Sequence, residues 1–220
     1  MAGVPPTVPL PRRPLDPSGP DPDGRVRLRL SAEYYENDLG WPTVPGPPTG
    51  LVVGPRFDVL DVPAEAGLAA LRHLVPGSPV AVQGARMRLL VAPGSAEELP
   101  GLLEWLEWGA LMPGLDLVGV GAGGVMEAPE VPGAVGVPGT LEALEVQGAL
   151  EPERPQGAAV WLRPPLPGCE VEASLPTLSA MGGARGTGRA PDLARLVDTV
   201  AAQCHRVRLR RAPAQALAFS

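Results

Sequence analysis

"RFDVLDVPAEAG", residues 56–67, is the stretch on which the fold turns. Phe57, Val59, Leu60 and Val62 form a short apolar run closed by Pro63, the pattern of a buried strand. "AEAGLAALRHLV" then takes up helical spacing, with Leu68, Leu71 and Val75 on one face. The same stretch carries Asp58 and Asp61, with Glu65 just past the proline, so it is also a candidate acidic edge of a site. Alternate strand residues point the same way. Asp58 and Asp61 are three apart and should face opposite sides of the sheet. Glu65 opens a helix, where acids are favoured by the helix dipole alone.

Upstream, "RVRLRLS" alternates Val26, Leu28 and Leu30 with Arg25, Arg27 and Arg29, as a half-buried strand does. "SAEYYENDLGW" suits a short helix capped by Ser31, "PTVPGPPTG" a loop, and "LVVG" a further strand. Downstream, "PVAV" and "MRLLVAPG" read as a hairpin or two adjacent strands. Leu99, Leu102, Leu103 and Leu106 make the core stripe of a helix. Ser95 and Glu98 resemble a capping box, but Pro100 suits a first turn and places the start near Leu99. Trp105 and Trp108 flank the stripe, either sealing the core edge or offering a platform for bases.

"LDLVGV" and "GGVMEAP" are expected to pair as strands about a glycine turn. Gly119, Gly121 and Gly124 are that turn and no dinucleotide fingerprint, because no helix follows. "AAVWLRP" returns as a strand. The clearest helix is opened by Pro191 and carries Leu193, Leu196, Val197, Val200 and Cys204 on one stripe. "RVRLR", 206–210, reads as a closing strand that alternates Arg206, Arg208 and Arg210 with apolar residues. Strands and helices interleave, so the fold class is α/β (α+β), with one main mixed or antiparallel sheet flanked by helices. Residues 1–24, with eight prolines, read as a disordered arm before a single domain at 25–220. Stretches 128–157 and 164–190 read as irregular Pro/Gly-rich insertions.

At 220 residues and 45% hydrophobic content the chain can bury one full core. Its 30 prolines and 28 glycines imply long irregular segments beside that core. All 18 basic residues are Arg, with no Lys and no Ile, the bias of a GC-rich genome. A net charge of −6 excludes a global attraction for nucleic acid or anionic membrane and leaves only local basic strips. Three strips exist: Arg25, Arg27 and Arg29; Arg206, Arg208 and Arg210; and the pair Arg86 and Arg88. If the terminal strands are neighbours, six guanidinium groups could line one surface suited to phosphate. The alternative is a solvated sheet face whose charges protect an edge.

No apolar run reaches the roughly 18 residues of a membrane span. "MAGVPPTVPL" lacks the pattern of a signal peptide. Two cysteines are too few for a disulfide scaffold or a Cys-based zinc site. A cytoplasmic location without a membrane partner is expected. Neither His73 nor His205 has a nucleophile at catalytic spacing; Cys204 reads as a core residue and Cys169 as a loop thiol.

The order of short signals from 39 to 130 resembles the bifunctional DNA primase/polymerase domain of the archaeo-eukaryotic primase superfamily, in its actinobacterial relatives. "LGWPTVPGPPTG", "LVVGPRFDVLDVPAEAG", "PVAVQGARMRLLVAPG" and "LDLVGVGAGGVMEAPEVPG" follow one another as that family's segments do. The resemblance covers about ninety residues and implies a primase/polymerase-like fold. It also implies a site in which two carboxylates one residue apart, a later Asp and a His hold divalent metal and nucleotide for phosphoryl transfer. Carried over by position, Asp61 matches the first carboxylate and Asp116 the later one. The second carboxylate falls on Pro63, and the His falls on Met87 or Arg88. Asp61 and Asp116 are thus vestigial candidates for catalysis and metal, and Mg²⁺ or Mn²⁺ is implied only if the site is active.

Three readings stay open. One is a catalytically inactive relative that binds nucleotide or single-stranded nucleic acid through Arg25, Arg27, Arg29, Arg86, Arg88, Arg206, Arg208 and Arg210. Another is a protein–protein interaction or regulatory module that keeps only the fold. The third is an active DNA primase/polymerase with an unconventional metal site. The enzyme question leans to no.

Overall fold

The computed structural model describes residues 31–131, 157–167, 171–178 and 192–211. "FDVLDVP" is a core strand. In chain order the strands are β1 (Thr43–Val44), β2 (Gly50–Val52), β3 (Asp58–Pro63), β4 (Val80–Gln83), β5 (Arg86–Val91), β6 (Val118–Val120), β7 (Val125–Glu127) and β8 (Val160–Arg163). The helices are α1 (Ala64–Ala70), α2 (Ser95–Trp105) and α3 (Leu193–Arg211). The main sheet is antiparallel in the order β6-β3-β5-β4-β8, and a second antiparallel sheet runs β1-β2-β7. The architecture is mixed α+β with two sheets.

β3 reads as a nearly continuous apolar run because both of its faces are covered. Leu60 and Val62 join Val80, Val82, Met87, Leu89 and Val91 under the three helices. Val59, with Ala81, Leu90 and Trp161, faces Leu51 and Met126 of the small sheet, Val53 just after β2, and the aromatic side chains of Tyr35 and Trp41. Buried Tyr35 ties this second core together: its hydroxyl donates to the Pro129 carbonyl at 2.6 Å and accepts from Trp161 Nε1 at 2.8 Å.

Several expectations hold. β4 and β5 form the hairpin, turning at Gly84 with φ +55°. Leu193, Leu196, Val197, Val200 and Cys204 are all buried. Asp192 caps α3, its Oδ1 accepting the Ala194 N–H at 3.0 Å. Others are corrected. α1 buries Ala66, Gly67 and Ala70, with Leu71 just after it, while Leu68 is exposed. The cause is close approach: a Cβ at Gly67 would collide with Met87 of β5, so the small residues must face the sheet. The segment after Ser31 is helical but ends in a π turn, Tyr34–Asp38, and Ser31 itself lies within the helical stretch.

α2 starts at Ser95 and not near Leu99, with Gly94 as a left-handed N-cap at φ +85°. Its capping acceptor comes from another element: Asp58 Oδ2 takes the Ala96 N–H at 2.9 Å. β6 and β7 do not pair with each other. β6 pairs with β3 and β7 with β2, so the glycines between them carry the chain from one sheet to the other.

The "RVRLR" strand is also corrected. Residues 206–210 continue α3 without a break. Val207 is three residues past Cys204, so it extends the helical stripe and is buried, whereas Leu209 falls off it and is exposed. Residues 1–30, most of 128–157 and most of 164–190 lie outside the described residues, and so do the expected arm and the Arg25–Arg29 strand.

Candidate functional site

Strand register decides what surrounds Asp61. Asp61 stands opposite Arg88, and Pro63 opposite Arg86, so all four positions share one face of the main sheet. The small sheet covers that face at Val59 and Leu90, while Asp61 remains partly accessible. Arg86 fills this space. Its Nε donates to Asp61 Oδ1 at 2.6 Å, its Nη1 to Asp116 Oδ1 at 2.6 Å, and its Nη2 to the Asp61 carbonyl at 3.0 Å. Arg88 Nε donates to the other Asp61 oxygen at 3.3 Å. The pairing of β3 with β6 brings Asp116, just before β6, to the same corner.

Asp61 and Asp116 therefore converge, as a shared site requires, but on a guanidinium. Burial by itself would lower the pKa of Arg86; the hydrogen bonds and charges of Asp61 and Asp116 outweigh it and hold the pKa above the usual value. Both Asp61 oxygens already accept hydrogen bonds, and Pro63 offers no side-chain ligand to a metal. Among the described residues no group of three or more His, Cys, Asp or Glu side chains could hold a metal ion. The donor set at this corner does not fit the divalent cation that the family resemblance implies.

Next to the network, Gln83 Nε2 donates to Glu127 Oε2 at 2.6 Å, and Glu127 Oε1 accepts the Ala159 N–H at 3.3 Å. This polar link joins β4 of the main sheet to β7 of the small one. No local pattern marks it, because Gln83 and Glu127 meet only once both sheets exist. Arg88 Nη1 is buried without a hydrogen-bond partner.

Asp58 lies on the opposite face of β3, as the spacing requires. It is buried beneath the start of α2. Burial raises its carboxyl pKa, the Ala96 and Gly94 N–H groups oppose the shift, and the charge of Glu97 adds to it. Glu65 pairs with Arg210. Burial pushes the Cys204 thiol up to about 12, Asp116 adds to the rise and Arg86 opposes it, so this sulfur is an inert core group.

The arginine strips separate. Arg86 and Arg88 are engaged by Asp61. Arg206, Arg208 and Arg210 are on a helix, where residues two apart point about 200° from each other, so Arg208 points away from the flank that Arg206 and Arg210 share. Arg208 lies over Gly114, where a Cβ would collide with its guanidinium. Arg25, Arg27 and Arg29 lie outside the described residues. Trp108 packs at the edge of the main core and donates from Nε1 to Asp198 at 3.0 Å, whereas Trp105 is exposed. His73, which the sequence leaves without a role, bonds through Nε2 to Thr199 Oγ1 of α3 at 2.8 Å.

Searches against protein-family models, curated proteins and solved structures find no match to this chain. No helix among the described residues is long and apolar enough to cross a membrane.

Proposed function

We propose that this chain is a catalytically inactive, primase/polymerase-like domain that acts as a binding module for a protein partner. The observation that carries this reading is Arg86 lying between Asp61 and Asp116 and donating to both. Two-metal phosphoryl transfer needs carboxylate oxygens free to hold cations near the reacting phosphate. Here the corresponding oxygens neutralise a guanidinium, and the carboxylates work as cross-strand ties. The network joins β3, β5 and the segment leading into β6, a structural task.

Nucleotide or single-stranded nucleic acid is the second reading. Its support is the set of exposed arginines on the last turns of α3, Arg206, Arg208, Arg210 and Arg211, of which Arg210 already pairs with Glu65. Cations at a helix C-terminus also offset the helix dipole, which accounts for their position without a ligand. Nucleotide incorporation with Mg²⁺ or Mn²⁺ tests the main reading. The expected result is none above background. Incorporation that disappears in Asp61→Ala would overturn it. Binding of a labelled oligonucleotide, falling steeply with salt and weakened in Arg206→Gln, would move the ligand from protein to nucleic acid.

A further inference from the structure

Leu99, Leu102 and Leu103 hold the inner side of α2 in the core, and Trp108 seals the core edge with its Nε1 on Asp198. Trp105 does neither and is 72% exposed. At about 100° per residue, Gly101 and Glu98 project within about 40° of it, and Glu97 and Glu104 within about 100° on the Gly101 side. A Cβ at Gly101 would meet nothing within 4 Å, so the space beside the indole is open. Glu97, Glu98 and Glu104 are exposed, and none forms an ion pair with a described residue. The chain has no Lys, and no Arg between Arg88 and Arg154. An open indole is a platform for a base or for a cation, and here the carboxylates decide between them. A nucleic-acid strand would bring its phosphates against three like charges. A cation is drawn both by the negative face of the ring and by the acids around it.

We propose that the outer face of α2 docks an arginine-bearing segment of a partner protein. A guanidinium of that segment stacks on Trp105 over the open turn at Gly101, and its edge donates to Glu98 or Glu104. Arginine fits better than lysine, because its planar group stacks on the ring while its N–H fork still reaches a carboxylate. The same acids steer a basic segment toward the face and turn an acidic one away. This inference rests on the binding-module reading and names the partner's chemistry.

Fluorescence anisotropy of a labelled Arg-Gly-Arg-Gly-Arg peptide with the full chain at low ionic strength tests it. Wild type should bind the peptide, and should bind its lysine counterpart less tightly. Trp105→Ser should weaken binding about two- to fivefold, and Trp105→Tyr should recover part of the loss. Glu98→Gln with Glu104→Gln should weaken it about threefold or more. Glu33→Gln with Asp38→Asn removes the same charge beyond the other face of the main sheet, beside Tyr35, and should leave binding unchanged. All variants should keep the wild-type circular dichroism. A wild type that does not bind the arginine peptide overturns the proposal. So does Trp105→Ser binding as tightly as wild type, or a control pair that loses as much as the Glu98 and Glu104 pair. A labelled thymidine oligonucleotide that binds wild type and is released by Trp105→Ser would give the face to nucleic acid and also overturn it. None of these outcomes touches the Arg86 network, whose failure is read separately from nucleotide incorporation.

Discussion

Arg86 donates to two carboxylates of unequal burial, and this inequality sets what each is worth. The Asp61 side chain is 20% exposed and also holds Arg88, whereas that of Asp116 is 53% exposed. Asp61→Ala leaves two partly buried guanidinium groups without their shared acceptor and should cost about 1–3 kcal/mol in urea unfolding. Asp116→Ala loses a mostly solvated pair and should stay within about 1 kcal/mol. Equal costs would mean that the network is not organised around Asp61.

Asp58 behaves differently because its folded pKa is raised above the ordinary 3.8. Its protonated form is favoured by folding, so this contribution is fully present below that value and is lost as pH rises through the folded pKa. Asp58→Asn removes the charge and keeps an acceptor for the Ala96 N–H, so it should raise the neutral-pH melting temperature. The gain should vanish near pH 3, and a gain that persisted there would show that charge burial is not its cause. At this scale the sequence tells that Asp58 and Asp61 face opposite ways, since strand alternation is local. It does not tell that Arg86 fills the space between Asp61 and Asp116, because that depends on register across β5 and on the placing of β6.

Among the elements, α3 shows most plainly where local pattern misleads. Five alternating residues, "RVRLR", fit a strand, yet a helix whose stripe passes through Val207 contains the same five. The helical stripe from Leu193 to Cys204 has the longer period to support it, and no Gly or Pro interrupts it before Arg211. Arg206→Pro removes an intrahelical N–H and should cost about 3 kcal/mol or more. Arg206→Ala should change stability by no more than about 0.5 kcal/mol. If chemical denaturation gives the two variants the same stability, residue 206 is not in a helix. The α2 start was illegible for a related reason. Its cap acceptor is Asp58, 38 residues before Ala96, and the N-cap itself is Gly94, which has no side chain to supply a local signal.

Across the whole molecule, most strands and helices were legible, and the partners of the short strands were not. β3, β4, β5 and the hairpin at Gly84 follow from apolar runs between turn residues. The small sheet is built from strands of two or three residues, too short to state a partner, and Leu51 and Met126 find each other only through the shared core. The Arg86 network likewise forms on the face of the main sheet next to Val59 and Leu90, which the small sheet covers, a boundary that only the assembled molecule has. The claim that Asp61 and Asp116 serve this network rather than a metal is tested most directly by a double-mutant cycle. Wild type, Arg86→Met, Asp61→Asn and the double variant would be unfolded in urea with and without Mn²⁺. The account predicts a coupling of about 0.5–3 kcal/mol between Arg86 and Asp61, the same in both conditions. A coupling below about 0.3 kcal/mol, together with wild-type stabilisation by Mn²⁺ that Asp61→Asn abolishes, would contradict it.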